Sequence, residues 1–202
     1  MSMPALRAHH WTVEEVDRLV EERPGYTPRY ELVDGELLVT PSPAKRHQRL
    51  IGDLYMLLRP YVDQQRVGEV IFSPSTVRLT TDSRVEPDIF VIPAVFGRRQ
   101  AATVPITNLS LAVEVLSPSS ARYDRITKRR FYQRAGVPQY WIVDGEACLF
   151  EIWHPDDERP LIVDGAFDWQ PDGAREALRI DVARLFASVA DDASLTGELD
   201  ER

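Results

Sequence analysis

The spacing of hydrophobic positions changes several times along the chain, and each change marks a predicted element. Thr12 and Glu15 form a capping box, which predicts a helix over Val13–Glu22. The dipeptide Asp34-Gly35 lies between two apolar runs, and this arrangement predicts a β-hairpin near the N-terminus. From Ala44 to about Gln65 apolar residues recur at helical spacing. We therefore expect a long amphipathic helix after the hairpin.

After Gly68 the pattern changes to short runs rich in β-branched residues, which are typical of buried strands. The expected strands cover Val70–Phe72, Thr76–Leu79, Asp88–Ile92 and Leu109–Leu116. A basic helix over Arg122–Ala135 should follow, with Gly136 as its C-terminal cap. The runs Gln139–Val143 and Ala147–Trp153 predict a second, C-terminal β-hairpin extension. The pattern as a whole predicts an α/β protein with a mixed sheet.

The last part of the chain has a different composition. From about Asp156 it is rich in Pro, Gly and Asp, so we expect an irregular tail with one late helix over Val182–Val189. An acidic end over 191–202 should be frayed. With 202 residues, 44% of them hydrophobic, the chain can bury one substantial core. We expect a single domain over residues 1–190.

Composition also limits the cellular setting. No apolar run approaches the roughly 20 residues that cross a bilayer, and Met1–Trp11 lacks the apolar stretch of a secretory signal. A cytoplasmic location is therefore expected. The single cysteine, Cys148, excludes an intrachain disulfide, and its apolar neighbours predict a small buried thiol.

Charge is distributed unevenly along the chain. The net charge is −8, yet the segment Arg98–Val143 carries eight basic and two acidic residues. The segment Asp144–Arg202 carries five basic and sixteen acidic residues. A concentrated basic patch attracts polyanions such as nucleic acid. A solvated helix face with internal salt bridges would give the same composition, and this alternative stays open.

Two carboxylates are placed within or beside apolar strands. Asp88 begins the run Ile89–Ile92, and Glu114 lies inside Leu111–Leu116, where a carboxylate would be buried. A buried charge must be paired or bound to a cation. On adjacent strands the two carboxylates, with the backbone carbonyl of Val115, can bind a divalent ion such as Mg²⁺. Pairing of Glu114 with an arginine remains the alternative.

Lys128 is the third candidate. Asp124, Lys128 and Tyr132 are spaced four residues apart, so they lie on one face of the predicted helix. If this face is turned toward the strand ends, the Lys128 ammonium can approach a water molecule or a phosphate oxygen and stabilise developing negative charge. A surface pair between Asp124 and Lys128 would explain the spacing equally well.

Several separated motifs, in this order, resemble the Uma family of restriction-endonuclease-like proteins, within the PD-(D/E)XK nuclease superfamily. The resemblance extends from about Trp11 to Trp153. Its motifs are Tyr30–Leu37, His47-Gln48, Glu86–Ile89, Val113–Ser119, the series Asp124, Lys128 and Tyr132, and Gly136–Asp144.

The resemblance implies a restriction-endonuclease-like core, in which helices flank a central mixed β-sheet. It makes Asp88 and Glu114 the acidic motifs. Leu116 stands where the superfamily usually has a lysine, and Lys128 is the expected replacement from the next helix. We therefore expect Asp88, Glu114, Lys128 and Glu31 to be catalytic, and Asp88, Glu114 and Val115 to bind the metal.

Other residues are candidates for lining the site or contacting DNA. Glu31 would be a third metal ligand or a nearby base, or else a rim carboxylate paired with Arg29 or with a basic residue of a helix. His47 would contact a phosphate or transfer protons, or else be a solvated residue at a helix start. The remaining candidates are Tyr132, Gln139, Arg98, Arg99, Arg125 and Arg129.

The predicted function is Mg²⁺-dependent endonucleolytic hydrolysis of phosphodiester bonds in DNA, with Mn²⁺ as a substitute metal. A non-catalytic nucleic-acid-binding or protein-interaction module on the same fold is the main alternative, and a hydrolase of small phosphate esters is a further one. A homodimer is a further expectation, with the aromatic hairpin between Trp141 and Trp153 or the acidic C-terminal segment as its interface.

Overall fold

The computed structural model describes residues 9–22, 25, 28–96 and 104–187. The helices are α1 (Val13–Glu22), α2 (Lys45–Gln65), α3 (Ala121–Tyr123) and α4 (Arg129–Arg134), and a last helical turn covers 182–187. The strands are β1 (Arg29–Val33), β2 (Glu36–Thr40), β3 (Gly68–Phe72), β4 (Val77–Thr80), β5 (Ser83–Val85), β6 (Ile89–Pro93), β7 (Val104–Pro105), β8 (Leu111–Val115), β9 (Tyr140–Asp144), β10 (Leu149–Trp153), β11 (Leu161–Val163), β12 (Ala166–Trp169) and β13 (Leu178–Asp181). No described helix combines the length and apolar character that a membrane crossing requires.

The N-terminal elements form as the sequence predicts. The Thr12 backbone N–H donates to Glu15 Oε2 at 2.8 Å, and the Glu15 N–H donates to Thr12 Oγ1 at 3.3 Å, so the capping box starts α1. Asp34 and Gly35 have φ values of 51° and 77°, as a tight hairpin turn requires. β1 and β2 pair antiparallel on either side of this turn.

Two larger sheets organise the molecule. The first has five strands in the order β2-β1-β5-β4-β7, and the second has six in the order β11-β10-β9-β8-β6-β3. Within the second sheet, β8 and β9 are parallel while the other neighbouring pairs are antiparallel. The expected α/β architecture with a mixed sheet is confirmed.

The six-stranded sheet has an apolar core on each face. Val113 and Val115 of β8 pack with the buried stripe of α2 on one face, whereas Ala112 packs with Phe131 and Tyr132 on the other. Because side chains alternate along a strand, Glu114 points to the same face as Ala112. That face lies toward α4 and the five-stranded sheet.

The basic helix is not regular. Between α3 and α4, Asp124–Lys128 form a π-helical segment, and the Arg129 N–H donates to the Asp124 carbonyl five residues earlier. The hydroxyl of Tyr140 donates to the same carbonyl at 3.1 Å. The sequence predicted one continuous α-helix here. The extra residue per turn is a feature that periodicity over fourteen positions does not resolve.

The C-terminal part is more ordered than predicted. Instead of an irregular tail, the described residues beyond Asp156 form β11, β12 and β13, and Trp169 and Ile180 are buried in the main core. Short strands between Gly, Pro and Asp turns gave too weak an alternation to be recognised. The late helix begins at 182 as expected, while its predicted end at Val189 and the 191–202 segment lie outside the described residues.

The structure differs from the sequence-based expectations for Cys148, predicted to be buried, and for the aromatic hairpin, predicted as a dimer interface. Cys148 is exposed, because it lies in the turn after β9 with a φ of 55°. Trp141 and Trp153 are 0% and 7% exposed. These aromatics are buried in the chain's own cores and do not offer a surface for a second copy.

Candidate active site

The candidate site lies where the two apolar cores meet, at the carboxyl end of β8. Ile89 is opposite Val113 in the β6–β8 ladder, so Asp88 lies level with Glu114 one residue beyond the last pair. Both carboxylates are almost completely buried, at 1% and 2% exposure. The Val115 N–H donates to Asp88 Oδ2 at 2.9 Å and fixes Asp88 against the end of β8.

The neighbouring sheet contributes two more charged residues. Tyr30 and Leu32 of β1 pack against α1, so the strand alternation turns Arg29 and Glu31 to the opposite side, toward the site. Arg29 Nη1 lies 3.1 Å from Asp88 Oδ1. Glu31 Oε1 accepts a hydrogen bond from the Glu86 backbone N–H at 2.9 Å.

Lys128 is the centre of a buried group of charges, which we call the Lys128 cluster: Lys128, Glu31, Glu114 and Asp124. Lys128 Nζ lies 2.8 Å from Glu31 Oε1, 2.8 Å from Glu114 Oε1 and 3.4 Å from Asp124 Oδ1. The Tyr132 hydroxyl donates to Glu114 Oε1 at 3.2 Å. Lys128 and Tyr132 thus both contact Glu114, and Asp124 lies beside Lys128, so the three residues share the face that their spacing predicted.

His47 enters the site from α2. It lies one turn before Leu50 and Ile51 on the buried stripe of this helix, near the carboxyl end of β8. Its Nε2 is 2.9 Å from the Val115 carbonyl oxygen and 3.2 Å from Asp88 Oδ2. Two oxygens expected to bind metal are thus both adjacent to one histidine nitrogen.

These side chains line one cavity of about 540 Å³, which we call the carboxylate cavity. Its other walls are the loop 41–44 and the serine-rich turn 117–120. The lining residues with ionisable side chains are Arg29, Glu31, His47, Glu86, Asp88, Glu114, Asp124 and Lys128.

Burial and neighbouring charge shift the pKa values of Asp88 and Glu114 in opposite directions. Burial alone would raise the pKa of Asp88, but the contacts with His47, Arg29 and the Val115 N–H outweigh it and lower that pKa to about 2. Burial raises the pKa of Glu114 well above 4.5, and Lys128 opposes this only in part because Asp124, Asp88 and Glu31 raise it further. Asp88 is therefore ionised at neutral pH, whereas Glu114 retains its proton more strongly.

Lys128 remains a cation despite its burial. Burial would lower the pKa of Lys128, but Glu114, Glu31 and Asp124 together raise it well above 10.5. A lysine held in this way is a fixed positive charge and not a proton acceptor at neutral pH. Burial also raises the pKa of Asp124. Its Oδ1 makes no hydrogen bond within the part of the chain that the structure describes.

The charge balance bears on whether the cavity suits a metal ion. Glu31, Asp88, Glu114 and Asp124 are four buried carboxylates, and Arg29 and Lys128 are the two permanent cations that contact them. Fully ionised, the group has a deficit of two positive charges, and protons or a divalent cation can supply these. The oxygen donors are of the kind that Mg²⁺ and Mn²⁺ prefer.

The donor set relies on the backbone. Among the residues that the structure describes, no group of three or more His, Cys, Asp or Glu side chains is placed to hold a metal ion. Asp88, the Val115 carbonyl and Glu114 make a set of three oxygen donors only because one comes from the main chain. This set fits the metal that the sequence predicted at Asp88, Glu114 and Val115.

Several predicted contact residues lie away from the cavity or have other partners. Gln139 lines a separate cavity and accepts a hydrogen bond from Trp141 Nε1 at 2.8 Å. Arg125 pairs with Asp144 at 2.7 Å and Glu151 at 2.6 Å. Arg129 stacks over the Trp153 ring. The structure therefore does not bring these three side chains to the carboxylate cavity, and Arg98 and Arg99 lie outside the described residues.

Other residues of the cavity were not identified from the sequence. Arg29 was considered only as a partner for Glu31, yet it binds Asp88, and its position two residues before Glu31 on a strand was the available signal. Asp124 was placed on the helix face of Lys128 without a role in the site, with a surface pair as the alternative, yet it is 1% exposed. Glu86 lines the cavity because it immediately precedes Pro87 and Asp88.

Comparison with known proteins identifies the family. A family model, Uma2, described as "Putative restriction endonuclease", matches residues 13–182. The chain belongs to the Uma2 family. Two uncharacterized proteins of Synechocystis sp. are similar to it. One is 28% identical over 123 residues, covering 60% of this chain and 69% of that protein, and the other is 27% identical over 139 residues, covering 67% and 70%.

A solved structure has the same fold as this Uma2 chain. It is described as "a putative nuclease belonging to DUF820" from Anabaena variabilis. It superposes with a TM-score of 0.74 at 20% sequence identity, covering 89% of this chain and 99% of that one. The expected restriction-endonuclease-like architecture is confirmed.

Proposed function

We propose that the carboxylate cavity hydrolyses phosphodiester bonds in DNA with a divalent metal, Mg²⁺ or Mn²⁺. The observation that carries the proposal is the convergence of Asp88, Glu114, the Val115 carbonyl and Lys128 on one cavity between the two cores. Membership in the Uma2 family supports a nuclease activity. The metal, the DNA substrate and the residue roles are part of the proposal.

Asp88, Glu114 and the Val115 carbonyl would hold the metal. A bound divalent cation supplies Lewis-acid chemistry to a phosphate ester and acidifies water. Asp88 is prepared for this role because its pKa of about 2 keeps it ionised at neutral pH. Glu114 must lose its proton to bind a cation, since burial raises its pKa.

Lys128 would stabilise the negative charge that develops on the phosphate. Its ammonium is held by Glu31 and Glu114, both at 2.8 Å, so its position is fixed before substrate arrives. Glu31 positions Lys128 in this account, and its hydrogen bond from the Glu86 N–H in turn orients Glu31. Because the pKa of Lys128 is raised, the residue contributes charge and does not accept a proton.

The outer contacts to DNA would come from basic residues near the cavity. Lys45 and Arg46 are exposed at the start of α2, next to His47, which lines the cavity. On α3 and α4, Arg122 and Arg130 are exposed as well. Contacts of this kind bind phosphates without reading sequence.

A cleavage assay on supercoiled plasmid and on single-stranded DNA tests the proposal. Wild-type protein is expected to cut in Mg²⁺ or Mn²⁺ and not in chelator, and Asp88→Asn should abolish cutting. Asp168→Asn is the matched control, because Asp168 is an exposed carboxylate paired with Arg179 in β13. DNA binding that needs no metal, without cleavage by wild type, would favour a non-catalytic binding module instead.

A further inference from the structure

His47 makes contacts that its place at a helix start does not explain. Its ring contacts two oxygens at the carboxyl end of β8, the Val115 carbonyl at 2.9 Å and Asp88 Oδ2 at 3.2 Å. Both contacts are made by the same atom, Nε2. The His47 side chain is only 11% exposed. Its imidazole nitrogen is thus held beside two of the three oxygens proposed to bind metal.

The two distances match those between neighbouring ligands of a small divalent ion. In an octahedral site with metal–ligand bonds of about 2.1 Å, adjacent ligand atoms are about 3.0 Å apart, which is the bond length times the square root of two. Asp88 Oδ2 and the Val115 carbonyl oxygen each lie at about this spacing from Nε2. A cation that binds Nε2 could therefore also bind either of these oxygens.

A hydrogen bond donated by Nε2 would have the same length. The other contacts of the two oxygens therefore help to distinguish a hydrogen-bonding role of His47 from a metal-binding role. Asp88 already receives the Val115 N–H at 2.9 Å on Oδ2 and Arg29 at 3.1 Å on Oδ1. These two contacts stabilise the Asp88 carboxylate in addition to His47. The four buried carboxylates of the cavity outnumber the two permanent cations that contact them, and a metal cation bound beside these oxygens would supply positive charge.

We propose that His47 Nε2 is itself a ligand of the metal, alongside Asp88 and the Val115 carbonyl, and that the site takes a first-row transition ion such as Mn²⁺ in preference to Mg²⁺. The proposal rests on the proposed metal-dependent function. A nitrogen ligand favours Mn²⁺ because imidazole binds transition ions better than it binds Mg²⁺, which prefers oxygen and water.

His47→Gln is the informative variant. Glutamine Nε2 can reach the position of the histidine Nε2 and donate a hydrogen bond there, but its nitrogen has no lone pair to bind a metal. A metal bound by the glutamine carbonyl oxygen instead would have no imidazole nitrogen ligand. His47 Nδ1 makes no hydrogen bond within the described part of the chain, so the substitution removes no contact at that atom. His154→Gln is the matched control, since His154 lines the separate cavity and pairs with Asp157 at 2.9 Å.

The experiment measures Mn²⁺ binding by electron paramagnetic resonance, with electron spin echo detection of ¹⁴N nuclei coupled to the ion. Wild type and His154→Gln should bind Mn²⁺ and show imidazole nitrogen coupling. His47→Gln should lose the coupling and bind Mn²⁺ at least about tenfold more weakly. Mg²⁺ should displace Mn²⁺ from wild type only in large excess.

The other outcomes separate this inference from the proposed function. Mn²⁺ bound to wild type without nitrogen coupling, or imidazole nitrogen coupling retained in His47→Gln, would overturn His47 as a ligand and leave the proposed nuclease intact. Failure of wild type to bind Mn²⁺ or Mg²⁺ would overturn both. Equal affinity for the two ions, with coupling present, would retain the ligand and remove the preference for Mn²⁺.

Discussion

Lys128 is a buried cation, only 1% exposed, and three carboxylates surround its ammonium group. Its replacement by methionine would leave Glu31, Glu114 and Asp124 without a positive partner. Breaking a buried ion pair costs about 3–5 kcal/mol in the free energy of unfolding. Lys128→Met should lose about this much stability in chelator, measured by urea denaturation.

The same variant should respond more to metal than wild type does. A divalent cation would compensate carboxylates that Lys128 no longer neutralises, so Mn²⁺ should raise the Tm of Lys128→Met by more than it raises that of wild type. Cleavage should nevertheless be lost, because the fixed charge beside the phosphate is gone. Arg159→Met, at an exposed position outside the cavity and the proposed DNA contacts, serves as control. Wild-type turnover by Lys128→Met would remove Lys128 from the mechanism.

The pH dependence of stability should reflect Glu114. Its folded-state pKa lies well above 4.5, so its protonated form contributes stability that is present below 4.5 and lost as pH rises through the folded pKa. In chelator the free energy of unfolding should therefore decline as pH rises above 4.5 toward that folded pKa. Glu114→Gln, which keeps an acceptor for Lys128 and Tyr132, should flatten this decline.

Asp88 gives the opposite sign at acid pH. Its folded pKa of about 2 lies below the ordinary 3.8, so the stability it contributes is present above 3.8 and lost as pH falls toward about 2. Denaturation curves between these values, on wild type and Asp88→Asn, measure the two effects separately. An apo protein whose stability rose with pH above 4.5 in Glu114→Gln and wild type alike would contradict the pKa assigned to Glu114.

At the scale of elements, the π-helical segment Asp124–Lys128 sets the direction of the Lys128 side chain. Deletion of Ile126 should restore α-helical geometry and turn Lys128 by about 100° relative to Asp124. We expect the helix to persist by circular dichroism while the Tm falls and cleavage is lost. Ile126→Ala is the control, because this side chain is 41% exposed. Retention of full cleavage by the deletion variant would show that the segment has no role in positioning Lys128.

The C-terminal strands belong to the main core. Trp169 of β12 is 2% exposed and packs against Trp141, with ring centroids 5.6 Å apart. Trp169→Ala should therefore cost about 3–5 kcal/mol in the free energy of unfolding, measured in urea. Phe167, half-buried at the same sheet, gives a milder comparison as Phe167→Ala. A change below about 1 kcal/mol for Trp169→Ala would contradict the packing of β12 into this core.

Local signals in the sequence were sufficient to predict some of these elements and not others. Thr12, Glu15, Asp34 and Gly35 determine local backbone geometry through their own side chains or φ values, so α1 and the first hairpin were predictable. The strands after Asp156 depend on contacts with Trp141 and α2, far away in sequence, and their short alternation did not reveal them. The π-helical segment likewise depends on Tyr140, whose hydroxyl binds the Asp124 carbonyl.

The site was predictable for a related reason. Asp88 and Glu114 were recognisable because a charge inside or beside an apolar run is unusual. Lys128 was recognisable by its spacing from Asp124 and Tyr132, and family resemblance gave the three residues an order. Gln139 and Arg125 had no such mark, and the structure gives them other partners. Arg29 was underestimated because its partner Asp88 is distant in sequence. Asp124 was underestimated because its spacing from Lys128 fits an exposed helix pair as well as a buried one.

At the scale of the whole molecule, much of the basic patch is neutralised within the chain. Arg125 pairs with Asp144 and Glu151, and Arg134 pairs with Asp34. DNA affinity should therefore rest on few phosphate contacts and depend only moderately on salt. The possible homodimer stays a prediction. Sedimentation velocity over a range of protein concentrations tests it without reference to cleavage.

The central claim is that the carboxylate cavity is a metal-dependent nuclease site. Its most direct test is the single-turnover rate of cleavage of end-labelled DNA by wild type and Glu114→Gln, with Mn²⁺, with Mg²⁺ and in chelator. Glu114→Gln keeps the acceptor for Lys128, so the variant should fold. We expect metal-dependent cleavage by wild type and a cleavage rate at least about a hundredfold lower in the variant. Cleavage in chelator, or equal rates for both proteins, would contradict it.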